Sequence, residues 1–262
     1  MPGQIVRLQL DTFTFGGEVM GRLPDGRALF VPFALPGETV TARLREEKPG
    51  YARADLVEIV EPSALRIAPR CRHFQSCGGC HYQHLPYTEQ LKAKQAILRD
   101  QLVRIGKIEA PPVQPIVGSP LEFGYRNSVQ FHLDRQGKLG YKAASSDEVV
   151  AIAECHLPEP ALSQAWPQLD FEAMPQLERI HLRQGAGEDL MLVLESSSSE
   201  TPDLTIEELP LSVVHLAAGE ALVLAGSRAV AMQVHGRLFQ VSAGSFFQVN
   251  TPMAEALVDG LL

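Results

Sequence analysis

The alternation of apolar and polar residues over the first sixty positions predicts a set of short β-strands. Residues 4–10 read Q-I-V-R-L-Q-L, and further apolar runs follow at residues 13–15, 28–31, 38–44 and 54–60. Gly16-Gly17, Pro36-Gly37 and Pro49-Gly50 lie between the runs, and such pairs favour turns. Five short strands at this spacing predict a closed, OB-like β-barrel over residues 1–62, because closure removes the exposed edges of a small sheet. Barrels of this kind often bind oligonucleotides, although many bind no ligand.

The pattern changes to a helical period over residues 88–105. Apolar residues recur there at helical spacing, at Leu91, Ile97, Leu98, Leu102 and Ile105. Thr88 is a suitable N-terminal cap, and Gly106 is suited to the position that ends a helix. The sequence therefore predicts one amphipathic helix at this place.

Strand patterns return after residue 125. Residues 125–142 and 179–195 each read as a hairpin around a polar turn, and further strands are predicted at 211–216, 221–224 and 229–242. A last helix begins at residue 251, with Thr251 as its cap and Pro252 at its first position. The fold class expected is mainly β, with an α+β central part built on an antiparallel sheet.

The composition places the chain among ordinary folded proteins. Of its 262 residues, 45% are hydrophobic and 21% are charged, which excludes a disordered or collagen-like chain. No apolar stretch reaches about 18 residues, and the N-terminus lacks the apolar region of a signal peptide. We expect a cytoplasmic protein that contacts no membrane and is a monomer.

The charge of the chain is unevenly distributed. The formal net charge is −8, which argues weakly against a simple electrostatic nucleic-acid binder. Residues 63–110, called the basic segment below, nevertheless hold 8 basic and 3 acidic side chains. This segment slightly favours a polyanionic partner, although a helix rich in lysine and arginine is also common on protein surfaces.

Three of the four cysteines lie within the basic segment. Cys71, Cys77 and Cys80 form C-x5-C-G-G-C, and Cys155 follows much later. In a cytosolic chain this clustering favours a metal site over disulfides. Four thiolates can hold either Zn²⁺ or a 4Fe-4S cluster, and the spacing favours the cluster, because zinc sites usually pair their cysteines in two short clips.

Four segments of the chain together resemble a known enzyme family. They are C-R-H-F-Q-S-C-G-G-C-H-Y-Q-H-L at residues 71–85, G-Y-R-N at 124–127, D-E-V-V-A-I leading to E-C at 147–155, and S-F-F-Q-V-N at 245–250. In this order they resemble the TRAM-bearing RNA (uracil-5-)-methyltransferases, typified by the ribosomal-RNA enzymes. The resemblance covers essentially the whole chain and is weakest over the barrel.

The resemblance implies a TRAM barrel at residues 1–62 and a central iron–sulfur domain at residues 63–244. A Rossmann-like domain that binds S-adenosylmethionine would begin at residues 245–262, and helix 88–105 would dock on it. The implied 4Fe-4S ligands are Cys71, Cys77, Cys80 and Cys155.

Three further site residues follow from the resemblance, together with RNA, ribosomal RNA in particular, as the partner. Gln248 would contact S-adenosylmethionine, although it also reads as a turn residue that caps the next helix. Phe246 would border the pocket of the target base. Arg126 would contact RNA, although an ordinary arginine at a strand edge fits the sequence equally well.

The family chemistry needs groups that this sequence does not show. A cysteine thiolate adds to carbon-6 of uracil, and a general base removes the carbon-5 proton. In the family these residues and the glycine-rich cofactor loop follow the S-F-F-Q-V-N segment. Because all four cysteines are assigned to the cluster, we expect no catalytic residue in this chain, an incomplete cofactor site, and a chain cut before its catalytic domain. The alternatives are a stand-alone RNA-binding iron–sulfur module without transferase activity and a zinc-stabilised interaction protein.

Overall fold

The computed structural model of the protein describes residues 3–187, 189–203, 205 and 210–261. These residues form two compact units. The first consists of Met1–Gln75 and Cys80–Gly118, and the second of Ser76–Gly79 and Ser119–Leu262. The domain boundaries expected after residues 62 and 244 do not coincide with this division and stay a prediction.

The predicted N-terminal barrel is confirmed. It is closed by five strands in the order β1-β2-β3-β5-β4. The strands are β1 (Ile5–Phe13), β2 (Val19–Arg22), β3 (Ala28–Val31), β4 (Thr39–Glu47) and β5 (Tyr51–Glu61). Alternate side chains of these strands fill the interior, including Leu10, Val19, Leu29, Val40 and Ala52, as the period of two requires.

The expected strand at residues 13–15 is wrong. A bulge between Leu10 and Thr12 carries β1 on to Phe13, and the chain then turns. Gly16 and Gly17 make this turn with φ values of +92° and +89°, which glycine adopts without steric cost. The second strand therefore begins only at Val19.

A buried carboxylate joins the barrel to the segment that follows it. Glu38 is fully buried and accepts two hydrogen bonds from the Arg66 guanidinium, at 2.6 and 2.8 Å. The amides of Leu35 and Ser63 donate to the same carboxylate at 2.8 and 3.1 Å. Burial opposes ionisation of Glu38, but these hydrogen bonds outweigh it and hold the pKa of Glu38 below its ordinary value.

The helix predicted after the cysteines is present as α1 (Tyr87–Asp100) and continues into one π-helical turn at Gln101–Ile105. One detail of the prediction is wrong. Pro86 is the N-cap, and its carbonyl accepts from Glu89 and Gln90, so Thr88 lies inside the first turn. Gly106 ends the helix as its C-cap, as predicted, with a φ of −71°, and the residue after it, Lys107, takes the left-handed conformation.

The second unit is built on a seven-stranded sheet with the order β12-β11-β10-β9-β6-β7-β8. Its strands are β6 (Ser128–Leu133), β7 (Leu139–Lys142), β8 (Val149–Ala151), β9 (Leu177–Gln184), β10 (Leu190–Ser196), β11 (Leu211–Ala217) and β12 (Glu220–Ala225). Both predicted hairpins are present, as β6–β7 and β9–β10. The sheet is not purely antiparallel, because β10 and β11 run parallel.

Both faces of the central strand β10 are covered. Leu192 and Leu194 of β10 pack in a core with α2 (Pro160–Ala165) and the 3₁₀ turn Trp166–Gln168. Met191 and Val193 face the opposite way, toward a hairpin of β13 (Ala229–Val234) and β14 (Arg237–Ser242). The apolar character of β10 on both faces is typical of a central strand.

The last helix is α3 (Thr251–Asp259). Its cap is one residue earlier than expected, because the Asn250 side chain accepts from the amide of Met253 at 3.2 Å. The Rossmann-like domain expected to begin at residues 245–262 stays a prediction. Among the helices of the described residues, none combines the length and the apolar character needed to cross a membrane.

Candidate functional site

Two of the segments that carry the family resemblance are held together by one buried asparagine. Asn127 is 3% exposed, and its side-chain Nδ2 donates to the carbonyl of Gln248 and to the hydroxyl of Thr251, both at 2.9 Å. Its backbone amide donates to the carbonyl of Val249 at 2.8 Å. Residues 124–127 and 245–251 therefore lie side by side, and we call this arrangement the Asn127 junction.

Further hydrogen bonds fix the backbone on both sides of the Asn127 junction. The guanidinium of buried Arg183 donates to the carbonyls of Ser242 and Ser245, both at 3.0 Å. Burial lowers the pKa of Arg183, and the two carbonyls accept from two of its five N–H donors. The side chain of Asn250 donates to the Ser119 hydroxyl at 3.1 Å. The 245–250 segment is thus held by side chains from several elements.

The predicted cofactor and base residues lie on this fixed segment. Phe246 is 80% exposed and Gln248 is also exposed, whereas Phe247 between them packs against the core under the β13–β14 hairpin. Asn250 is the N-cap of α3, so the alternative role of Gln248 as the residue that caps this helix is wrong. The segment presents one aromatic and one amide side chain to solvent from a rigid backbone.

Arg126 lies between three parts of the second unit. Its backbone forms a parallel bridge with Pro158 and an antiparallel bridge with Asn250. Its guanidinium opposes the rise in the pKa of Tyr141, which places its charge near the Tyr141 hydroxyl. The Nε atom is buried without a hydrogen-bond partner within the described residues. Arg126 is therefore a half-buried residue bridged to Pro158 and Asn250 as well as a candidate for RNA contact, and its role stays a prediction.

Tyr141 is the neighbour that Cys155 and Cys77 share. Its hydroxyl donates to the Sγ of Cys155 at 4.0 Å. Burial, and then the charges of Cys155 and Cys77, raise the pKa of Tyr141 far above its ordinary value. The phenol therefore stays protonated and remains a hydrogen-bond donor toward the Cys155 thiol.

The loop that carries Cys77 is attached to the end of β7. Cys77 forms an antiparallel bridge with Ala143, and the amide of Gly78 donates to the Lys142 carbonyl at 2.9 Å. A Cβ on Gly78 would lie 3.0 Å from that carbonyl oxygen, so the close approach favours glycine. This explains the first glycine of the C-G-G-C segment.

The other two cysteines belong to the first unit. The backbone amide of Cys71 donates to the Gln83 side chain at 3.0 Å, and Cys71 and Cys80 are both half-buried. Within the described parts of the chain, no group of three or more His, Cys, Asp or Glu side chains is placed to hold a metal ion. The four-cysteine metal site expected from the spacing therefore stays a prediction.

Sequence reasoning missed the residues that support the site. Asn127 appears in the sequence only as the last letter of G-Y-R-N, Arg183 as an alternating strand residue, and Tyr141 as part of a hairpin. Their partners lie far away along the chain. A motif of adjacent letters gives no sign of such contacts.

Comparison with known proteins agrees with this organisation. Residues 1–57 match the TRAM domain. An uncharacterized RNA methyltransferase of Thermosynechococcus vestitus is 31% identical over 99% of this chain and 65% of its own length. The 23S rRNA (uracil(1939)-C(5))-methyltransferase RlmD of Aeromonas hydrophila is 32% identical over 91% of this chain and 58% of its own length.

A solved structure has the same fold. It is the tRNA (uracil-54, C5)-methyltransferase of Pyrococcus abyssi in complex with S-adenosyl-L-homocysteine, with a TM-score of 0.70 and 22% identity over 97% of this chain and 64% of that chain. The chain thus carries a TRAM domain and is related in sequence to RNA methyltransferases along almost its whole length. It spans less than two thirds of the length of these relatives.

Proposed function

We propose that this chain is the RNA-binding part of an S-adenosylmethionine-dependent RNA (uracil-5-)-methyltransferase that forms 5-methyluridine in ribosomal RNA. The observation that carries the proposal is the relationship to RNA methyltransferases over almost the whole chain, joined to a TRAM domain at its start. Ribosomal RNA is favoured because the Aeromonas relative is named for a uracil of 23S rRNA.

RNA is held first through its phosphates. The basic segment supplies an excess of positive charge in a chain that is otherwise acidic, and Arg72, Lys92 and Lys94 are exposed there. Phosphate contacts release counterions, so the affinity falls as the salt concentration rises. Arg126 is a further candidate contact.

The Asn127 junction is the proposed first edge of the cofactor and base site. S-adenosylmethionine, when bound, supplies a methyl group on a sulfonium. Gln248 would contact this molecule and Phe246 would border the target base, which must leave its stack to be modified. The exposure of both side chains, on a backbone fixed by Asn127 and Arg183, fits this assignment.

Cys71, Cys77, Cys80 and Cys155 are the proposed ligands of a 4Fe-4S cluster. Zn²⁺ draws its sulfur ligands to about 2.3 Å, whereas each thiolate of a cubane cluster binds a different iron, so these sulfurs stand farther apart. The spacing of the cysteines favours this larger group, and all four thiols are half-buried. Methyl transfer from a sulfonium needs no electron, so we assign the cluster a structural role.

The proposal expects RNA binding without methyl transfer by these 262 residues. The sequence has only four cysteines, and if all are cluster ligands no thiol remains to attack carbon-6 of uracil. The general base and the glycine turn of a cofactor site are not evident in the sequence either.

The test combines two measurements on the same protein. Fluorescence anisotropy with a labelled ribosomal RNA fragment measures binding at several salt concentrations, and radiolabelled S-adenosylmethionine measures turnover. We expect binding that weakens with salt, and no turnover. The double variant Lys92→Glu/Lys94→Glu should weaken binding, whereas the matched control Arg135→Glu/Lys138→Glu, in the second unit and outside the basic segment, should not.

Two results would contradict the proposal. Absence of RNA binding at low salt would remove the RNA-binding role. Turnover above background that is lost when one cysteine is replaced would identify a cysteine as the nucleophile and overturn the assignment of all four to the cluster.

A further inference from the structure

An exposed phenylalanine stands at the tip of the loop between β1 and β2. Phe15 is 78% exposed, although it lies on a short turn next to a well-packed barrel. Exposing a phenylalanine ring to water is unfavourable. Such a side chain is a candidate for contact with a ligand.

The loop that carries Phe15 is rigid. The amide and the hydroxyl of Thr14 both donate to the carbonyl of Glu18, at 2.8 and 3.0 Å, and the amide of Gly17 donates to the carbonyl of Thr14 at 3.2 Å. The Glu18 carboxylate is in turn held by Arg53 at 2.6 Å. Because the loop is already ordered, little conformational entropy is lost when its tip binds a ligand.

The loop also packs against the basic segment. A Cβ on Gly17 would lie 2.9 Å from the Cβ of His81, and the Phe13 ring meets the Tyr82 ring edge to face at a centroid distance of 5.7 Å. His81 is exposed. The Phe15 loop is thus fixed beside the segment that carries the positive charge of the chain.

A second aromatic cluster on the barrel is less suited to a ligand. Phe30 and Tyr51 lie 5.6 and 6.0 Å from the Arg53 guanidinium. That guanidinium is already paired with Glu18 at 2.6 Å and with Glu46 at 3.9 Å. Its charge is neutralised, and it covers the rings that a base would need.

We propose that the Phe15 ring stacks on an unpaired base of the bound RNA. Every base has a flat π-face, so stacking on an aromatic side chain is tolerant of sequence, and it contributes substantially to the binding of single strands. The inference rests on the proposed RNA-binding function. It adds Phe15 as a contact residue and an unpaired base as the feature of the RNA that this residue contacts.

The test compares Phe15 variants with a labelled single-stranded twelve-nucleotide RNA, measured by anisotropy over a range of salt. Phe15→Ala should weaken binding about tenfold, Phe15→Leu nearly as much, and Phe15→Trp should keep it. The salt dependence should not change, because no phosphate contact is removed. In a first control, the Phe15 variants and the wild type should bind a duplex RNA of the same sequence with equal affinity. In a second control, an oligomer without bases should bind the wild type and Phe15→Ala with equal affinity.

Val57→Ala is the control, because Val57 is also an exposed apolar side chain of the barrel; it should bind RNA as the wild type does. Circular dichroism checks that each variant is folded. If Phe15→Ala does not fold, Phe15→Leu is used for the comparison with the wild type. If the wild type binds the single strand and both Phe15→Ala and Phe15→Leu bind it with the same affinity, the stacking inference is overturned while the proposed function stands. Failure of the wild type to bind any RNA overturns the proposed function, and the inference with it.

Discussion

The side chain of Asn127 donates to the backbone carbonyl of Gln248 at 2.9 Å, from a position that is almost completely buried. The same Nδ2 reaches the hydroxyl of Thr251, so each of its two hydrogens has an acceptor. A methyl-bearing or anionic side chain cannot make these two bonds. The conformation of the segment that holds Phe246 and Gln248 therefore depends on a residue more than a hundred positions earlier.

Asn127→Ala should destabilise the second unit and loosen residues 245–251. Two partly buried acceptors lose their donor, at about 1–3 kcal/mol for each group left unsatisfied, and we expect a fall of about 2 kcal/mol in the free energy of unfolding. Asn127→Asp should do no better, since an ionised carboxylate cannot donate. Urea unfolding measures the first effect and amide exchange of residues 245–251 the second. The exposed residue Gln136 supplies the control variant Gln136→Ala, and equal stability of the two alanine variants would contradict the assignment.

Glu38→Gln should reduce stability at neutral pH and also make it less sensitive to acid. The pKa of Glu38 is lower in the folded than in the unfolded chain, so its contribution is full above its ordinary pKa of 4.5 and is lost as the pH falls through the folded value. Removing this charge leaves Arg66 without its partner, which lowers the free energy of unfolding by about 3 kcal/mol at pH 7. The difference between variant and wild type should shrink as the pH falls below about 4.5.

The control for Glu38 is Glu61→Gln. Glu61 is largely exposed and pairs with Arg7 at 3.6 Å, and such surface pairs contribute about 1 kcal/mol or less. Chemical unfolding at several pH values compares both variants with the wild type. A constant difference between Glu38→Gln and the wild type at all pH values would exclude a coupled ionisation of Glu38.

Cys155→Ala should lose iron and destabilise the second unit, because a cluster cannot keep four thiolate ligands when one is removed. Iron content and the visible absorption of anaerobically purified protein provide the measurement. Tyr141→Phe is the matched control, since it removes only the hydroxyl that contacts the Cys155 sulfur and should keep its iron. Full iron retention by Cys155→Ala would refute the ligand assignment, and a colourless wild type that contains zinc would replace the cluster by zinc.

Leu98→Ala should leave stability nearly unchanged, whereas Leu85→Ala should not. Leu98 lies on α1 and is 51% exposed, while Leu85 is buried with Leu35 and Ala93. We expect a change within about 0.5 kcal/mol for the exposed leucine and a loss of about 2–5 kcal/mol for the buried one. Thermal and urea unfolding measure the change in stability of each variant. A large loss of stability for Leu98→Ala would mean that this side of α1 is covered in solution.

Much of the secondary structure was predictable because its signals are local. Four of the five barrel strands, the two hairpins and helix α1 follow from period-two and helical patterns in neighbouring residues. The errors have equally local causes that the pattern does not show. A bulge extended β1 past its expected end, and hydrogen bonds to the Pro86 carbonyl moved the start of α1 ahead of Thr88.

The sequence by itself determined the closed five-stranded barrel, the succession of hairpins and the four segments that led to the family resemblance. Only the tertiary structure decided that β10 and β11 run parallel, that Asn127 and Arg183 hold the 245–250 segment, that Tyr141 adjoins Cys155, and that Phe15 is fixed beside His81. The physical reason is the range of the interactions. Periodicity and turn propensity act between neighbours along the chain, whereas a buried amide finds its acceptors, and a glycine its close contact, only after distant strands have packed.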